Sequence, residues 1–260
     1  ISSGLVGSEM CIRDRHNDVV MNISAKTVTT IIILLLLLVV PPIIYSYITK
    51  GYNNFIKLEI IGEKDIEGND HRIPDFSFVN QDNNIVNQDS MMGNIYVADF
   101  FFTTCPTICP VMTKNMAYLQ QKLSIFPNVR FLSHTVDPYN DSPERFLEYV
   151  EEMKQNNVSI DLSNWDFVTG DIDEIYNIAK SYFVNVSPDS LAPGGFLHSE
   201  YFVLIDKEGR VRSGIDKQGN VLGVYDGTRD SHMKDLVNDI KVLMAEYKRP
   251  KKTKRKWQKD

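Results

Sequence analysis

The first pattern along the chain is a run without charge. Residues 27–49 lie between Lys26 and Lys50 with no charged residue, and residues 31–40 are ten aliphatic side chains in succession. Twenty-three uncharged residues suffice to cross a bilayer core of roughly 30 Å, so a transmembrane anchor is expected. A cleaved signal peptide is the alternative. The apolar run exceeds a usual h-region, and neither a clean small-x-small site nor a lipobox-like cysteine follows it. Pro41 and Pro42 are expected to kink the segment or mark its outer end.

Beyond residue 70 the pattern changes to short apolar stretches separated by polar ones. Residues 57–61 have some strand character, 73–79 alternate as an entry strand, and Asp82-Asn83-Asn84-Ile85 reads as a hairpin turn. Residues 95–102 are a continuous β-branched and aromatic run, the signature of a buried strand. A helix follows over 111–123, with Met112, Met116, Leu119 and Leu123 at three-to-four spacing. A second apolar strand spans 129–136. Asp141 or Ser142 is placed to cap the next helix, with Pro143 at its first position and Phe146, Tyr149, Val150 and Met153 on one face. Residues 165–169 read as a strand and 172–183 as a helix capped by Asp171. Residues 201–205 and 210–212 form a hairpin around Gly209. A stretch 221–225 precedes the last helix, 233–247. Strand–helix–strand–helix in this order implies parallel strands with crossover helices, an α/β fold.

At 260 residues, one domain plus a tether is expected. Residues 1–20 read as a doubtful leader ahead of Met21. Residues 1–15 are set aside, and Cys11 with them, because 3–15 look like translated sequencing adaptor. Residues 21–50 form the anchor, 51–70 a connector, 71–247 the globular domain and 248–260 a basic tail. The formal charge is −6, and the tail holds 8 of the 28 basic residues but 1 of the 34 acidic ones, which leaves the preceding 247 residues at −13. An acidic body fits no nucleic-acid role. The tail reads as disordered and solvated, with contact to anionic lipid as the alternative.

The chemistry concentrates in Thr104-Cys105-Pro106-Thr107-Ile108-Cys109-Pro110, at the junction of strand and helix. A spacing of four puts both sulfurs on one face of a first helical turn, expected to be exposed. The helix N-terminus is expected to favour thiolate. Two such thiols suit a soft metal ion or dithiol–disulfide cycling, and packed structural cysteines are the bland alternative. Thiol exchange more usually shows C-x-x-C, and two thiolates alone under-coordinate zinc. Cu(I) accepts two thiolates with a third ligand such as imidazole. Of five histidines, His16 lies in the leader, His71 in a polar stretch, His232 at the start of a surface helix, and His134 inside an apolar strand as a core histidine. His198 stands at a loop–strand junction, after a loop 185–195 with two prolines and two glycines that is expected to be mobile.

The cysteine motif, then Val136-Asp137-Pro138 with Asp141-Ser142-Pro143, then residues 165–170, then Leu197-His198-Ser199, in this order resemble the SCO/SenC family over about residues 70–247. The resemblance implies a thioredoxin-like fold, a mixed sheet flanked by helices behind an N-terminal transmembrane helix. It implies copper as the metal, with Cys105, Cys109 and His198 as ligands. It implies a membrane-tethered chaperone delivering copper to cytochrome c oxidase during assembly, with the oxidase copper-site subunit or another copper chaperone as partner. The soluble domain would face the periplasm, from the inner membrane, or the mitochondrial intermembrane space. Thr107 and Ile108 stand where family members often carry an acidic residue, and residues 213–220 read as a small insertion. Asp137 is either a group orienting the ligands or a turn aspartate. The rival function is a thiol-disulfide reductase that keeps oxidase cysteines reduced with the same Cys105–Cys109 pair. The absence of proline at 197–200 argues against ordinary disulfide exchange, and a peroxidase reading is weaker still.

Overall fold

The structure, a computed structural model, describes residues 24–50, 57–189, 191, 193–216 and 218–248, and leaves the side chains of 47–50, 193, 197 and 198 undescribed. The leader, residues 51–56 of the connector and the tail beyond Lys248 lie outside these residues. The chain divides into two compact units, residues 1–52 and 53–260.

In the first unit, α1 (Ala25–Lys50) starts at Ser24, whose hydroxyl accepts from the Lys26 amide. Thr29 and Thr30 donate to the carbonyls of Ala25 and Lys26 one turn back, which satisfies their hydroxyls inside the helix. Residues Ala25–Ser46 are long and apolar enough to cross a membrane. Pro41 and Pro42 lie inside the helix and do not end it.

The second unit is built on one mixed sheet. Its strands are β1 (Glu59–Ile60), β2 (Ser77–Asn80), β3 (Ile85–Asn87), β4 (Ile95–Phe101), β5 (Val129–Thr135), β6 (Trp165–Thr169), β9 (Tyr201–Ile205) and β10 (Val211–Ser213), in the spatial order β1-β10-β9-β4-β5-β6-β2-β3. A further strand, β11 (Tyr225–Asp226), pairs with β9. A separate two-stranded hairpin consists of β7 (Val186–Pro188) and β8 (Phe196–His198). Strands β4, β5 and β6 run parallel, Phe101 opposite Thr135 and Ser133 opposite Phe167, as the crossover pattern requires.

All seven residues of β4 are buried, because it is central and covered on both faces. On one face Phe101 and Phe167 pack against Phe146 and Tyr149 of α4 (Pro143–Gln155). On the other, Phe100 stacks on His134 at 4.9 Å, and Phe76, Phe78 and Tyr182 close around that imidazole. The helix α3 (Cys109–Leu123) buries Met112, Met116, Leu119 and Leu123. The Thr113 and Tyr149 hydroxyls, 2.8 Å apart, join it to α4. The chain is completed by a single turn, α2 (Gln88–Met91), by α5 (Ile172–Ser181), capped by Asp171, and by α6 (Asp230–Lys248), which packs alongside α3.

The structure moves some sequence-based boundaries. The one-turn α2, with a capping box between Asn87 and Ser90, falls where only a lead-in was expected. The loop 185–195 carries β7 and a 3₁₀ turn, Pro193–Gly195. Beyond β10, Ile215 forms a bridge with Val221, and the Asp216 amide donates to the Asn220 carbonyl at 2.8 Å.

Candidate metal centre

The cysteine turn begins where β4 leaves the sheet. Cys105 donates its amide to the Phe102 carbonyl at 3.2 Å, and Thr107 Oγ1 lies 3.7 Å from its sulfur. The helix α3 opens at Cys109, two residues before the expected start, with Pro110 in its first turn, where the missing N–H costs nothing. Neither Thr103 nor Thr104 caps it. The N-cap is Ile108, which makes no side-chain cap, and Thr103 serves another purpose.

Thr103 is pinned to Asp141, a carboxylate with no exposed surface. The Thr103 hydroxyl donates to Asp141 Oδ1 at 2.5 Å and its amide to Oδ2 at 3.1 Å, while the Thr135 hydroxyl donates to Oδ2 at 2.5 Å. Burial pushes the Asp141 carboxyl above its usual range, and the bonds from Thr103 and Thr135 oppose that rise. Ser142, not Asp141, caps α4 by accepting from the Arg145 amide. One carboxylate thus ties the exit of β4 to the exit of β5. Asp137 accepts from the Asn140 side chain at 2.7 Å and holds the turn into α4, as a turn aspartate does.

Both sulfurs are buried: Cys105 is 6% exposed and Cys109 0%. The turn itself is exposed at Thr104, Pro106 and Thr107, as expected, but its two sulfurs point away from water. Their burial also reverses the expected pKa of the second thiol. Burial drives Cys109 far above an ordinary thiol, and a hydrogen bond with Cys105 and the charges of Cys105 and Asp99 push the same way. Removal from water outweighs the helix terminus, whose influence is at most about 1–2 kcal/mol. The two thiols stand within hydrogen-bonding reach of each other. That arrangement suits a soft cation held between two sulfurs, or a disulfide formed with little movement.

Asp99, 2% exposed, sits in β4 on the α4 side of the sheet; the Ser133 hydroxyl donates to it at 2.5 Å and Trp165 Nε1 donates to Ser133 at 2.9 Å. A lone carboxylate inside an apolar strand run is the signal in the sequence that marks this residue.

Four histidines can be placed. His71 Nε2 lies 2.8 Å from the Ser181 carbonyl, and His232 Nδ1 accepts from the Asp226 amide. His134 is fully buried, as expected of a core histidine. His198 ends β8, opposite Val186. Its side chain is outside the described residues, among which no group of three metal-binding side chains converges. Its strand nevertheless lies against the cysteine turn. Phe196, two residues before it, packs its ring on Phe102 at 5.3 Å between centroids. A Cβ placed on Gly194 would stand 2.6 Å from the Phe102 ring and 3.6 Å from Pro106 Cδ. Phe102, Phe196 and Gly194 form a contact that sequence periodicity could not reveal.

Residues 64–230 match the model of the SCO1/SenC family. The SCO1 protein homolog of Bacillus subtilis is 32% identical over 173 residues, covering 66% of this chain and 82% of that one. The solved structure of BsSco, described as a member of the Sco family of cytochrome c oxidase assembly proteins with a disulfide switch, aligns with a TM-score of 0.54 at 32% identity. It covers 66% of this chain and 93% of that one. Copper-bound ScoI of Bradyrhizobium japonicum aligns with a TM-score of 0.50 at 19% identity, covering 65% and 98%, a likeness of fold.

Proposed function

The chain belongs to the SCO1/SenC family, and from that premise we propose that it is a membrane-anchored copper chaperone serving cytochrome c oxidase assembly. Copper is its cargo, with Cys105, Cys109 and His198 as ligands. The observation that carries this reading is the pair of buried thiols within hydrogen-bonding reach of each other at the β4–α3 junction, with β8 packed through Phe196 on Phe102, whose carbonyl accepts the Cys105 amide. Two thiolates and an imidazole match the three-coordinate preference of Cu(I). Binding replaces the thiol protons with the metal, so loading releases protons. The burial of both sulfurs keeps bound metal from water, and transfer then requires an acceptor that opens the turn and takes the ligands one at a time. The acceptor in this reading is the copper centre of an oxidase subunit or a second copper chaperone. The helix α1 confines donor and acceptor to one membrane, with the domain on the periplasmic or intermembrane-space side, and raises their effective concentration.

The test is anaerobic loading of the full reduced chain, in detergent, with Cu(I). One copper per chain, with two sulfur and one nitrogen neighbours by X-ray absorption, is the expected result. Loss of the nitrogen in His198→Ala identifies the imidazole; an unchanged shell removes His198 from the site.

The contact between the two thiols also favours a second reading, a thiol-disulfide reductase. Here Cys105 and Cys109 give two electrons and two protons to a partner's disulfide and themselves become a disulfide. A chain that retains no copper but cycles readily between dithiol and disulfide would establish this reading over the first.

A further inference from the structure

The ring of Phe102 is fully buried. It belongs to the same tight turn as Cys105, because its carbonyl accepts the Cys105 amide. What covers the ring comes from a distant part of the chain. Phe196 meets it at 5.3 Å with a 58° tilt, and Gly194 lies so close that a methyl group there would enter the ring. Gly194 also has φ +82°, so glycine is required both by backbone conformation and by space. Phe196 is the first residue of β8 and His198 the third. The β7–β8 hairpin is a sheet of its own, not hydrogen-bonded into the large sheet. Its internal register pairs Val186 with His198 and Pro188 with Phe196.

We propose that Phe102 and Phe196 are positioning residues. Their ring contact, closed by Gly194, holds the β7–β8 hairpin against the cysteine turn and so sets where His198 stands relative to Cys105 and Cys109. The proposal rests on the reading of those three residues as copper ligands. One aromatic contact then separates a two-sulfur site from a complete two-sulfur, one-nitrogen site. Because the hairpin lies outside the main sheet, the contact can part without breaking the ladder that holds the cysteine turn. A partner that inserts between Phe102 and Phe196 would withdraw the imidazole while the sulfurs stay in place.

The experiment compares the full chain in detergent, loaded anaerobically with Cu(I), as wild type, Phe196→Ala, Phe196→Tyr and His198→Ala. The readouts are the sulfur and nitrogen neighbours of copper, the rate of copper loss to a Cu(I) chelator, and the dithiol–disulfide midpoint of the apo protein. Phe196→Ala is expected to keep two sulfurs, lose the nitrogen and release copper about ten-fold faster, the weight of one aromatic pair. Phe196→Tyr restores both properties, and the midpoint is the same in all four. If Phe196→Ala does not fold, Gly194→Ala is read in its place, since it pushes on Phe102 from the hairpin side. A nitrogen neighbour and release rate in Phe196→Ala equal to wild type, while His198→Ala differs from both, overturns the positioning role alone. A wild type without a nitrogen neighbour, or a His198→Ala variant equal to wild type, overturns the ligand reading beneath it.

Discussion

Thr103 and Asp141 lie 38 residues apart and are joined twice, through the amide and the hydroxyl of the threonine. This link fixes the turn that carries Cys105 to the start of the neighbouring crossover. Asp141→Ala leaves the Thr103 amide and the Thr103 and Thr135 hydroxyls buried without their acceptor. It is expected to lower stability by about 2–4 kcal/mol. Asp141→Asn keeps one acceptor oxygen and is expected to lose less. Denaturant midpoints at unchanged m-value measure both.

A second buried charge is held far from the cysteines. Arg212, fully buried, donates to Asp206 at 2.8 Å, to the Leu58 carbonyl at 2.9 Å and to Glu246 at 2.7 Å, so that β10, the residue before β1 and α6 meet on one guanidinium. Burial raises the Asp206 carboxyl, but hydrogen bonds from Arg210 and Arg212 outweigh it and hold it below its usual value. Asp206→Ala removes one of the two carboxylates on that guanidinium, leaving Glu246, and is expected to cost roughly 1.5–3 kcal/mol. The double variant Asp206→Leu with Arg212→Met is expected to recover much of that loss. A double variant as unstable as Asp206→Ala would show that packing, not the lost ion pair, sets the cost.

Much of this architecture was readable in the sequence, and what was missed shares a cause. The strands 95–102, 129–136 and 165–169 and their crossover helices followed from apolar runs, prolines and caps, because those signals are local. The cysteine pair and the thioredoxin-like fold followed from ordered motifs. The burial and raised pKa of Cys109 depart from the sequence-based expectation, since helix-end electrostatics is visible in sequence but burial is not. The role of Thr103 has no local signal, because its partner, Asp141, lies 38 residues away. Phe102 and Phe196 each looked like one more aromatic in an apolar stretch. The hairpin β7–β8 was hidden in a loop whose glycines and prolines signal turns but not pairing.

His134 tilts stability against acid. The imidazole is fully buried among Phe76, Phe78, Phe100 and Tyr182, and neither ring nitrogen meets a hydrogen-bond partner among the described residues. Among the described residues in ring contact with it, the titratable group is the Tyr182 phenol, which burial raises and which pairs with the Tyr96 hydroxyl. Burial lowers the His134 pKa from 6.5 to about 3. Between those values the unfolded chain binds a proton that the folded chain refuses. Stability from this group is therefore complete above pH 6.5 and falls as pH drops toward 3, by several kcal/mol as an order of magnitude. His134→Leu is expected to flatten the acid limb of a stability–pH curve. An unchanged limb would assign it to other groups.

Asp239 on α6 tilts the other way. Burial raises its carboxyl from 3.8 to about 6, a hydrogen bond from Tyr225 opposes this, and the charge of Asp235 adds to it. Its folded pKa is higher than its unfolded one, so the folded state holds the proton more tightly. Stability from this group is present below pH 3.8 and is lost as pH rises through 6. Asp239→Asn retains an acceptor for the Tyr225 hydroxyl, now 2.8 Å away. The variant is expected to match wild type near pH 4 and to exceed it by on the order of 1–2 kcal/mol at pH 7–8. Thermal melts at the two pH values decide it.

The two cysteines should differ as nucleophiles, which bears on how a partner enters the site. Cys105 keeps 6% of its surface and lies in the turn, whereas Cys109 has none, lies within α3 and has its pKa driven far up by burial. A reagent or a partner's sulfur meets Cys105 first, and Cys109 becomes accessible only when the turn opens. Alkylation of the reduced apo chain with iodoacetamide at pH 7 is expected to modify Cys105 at least about ten-fold faster than Cys109. Peptide mapping separates both from Cys11. Bound Cu(I) should protect the pair together if both sulfurs hold the metal. Protection of Cys105 alone would place copper on one sulfur, and faster labelling of Cys109 would make it the thiol that receives a partner.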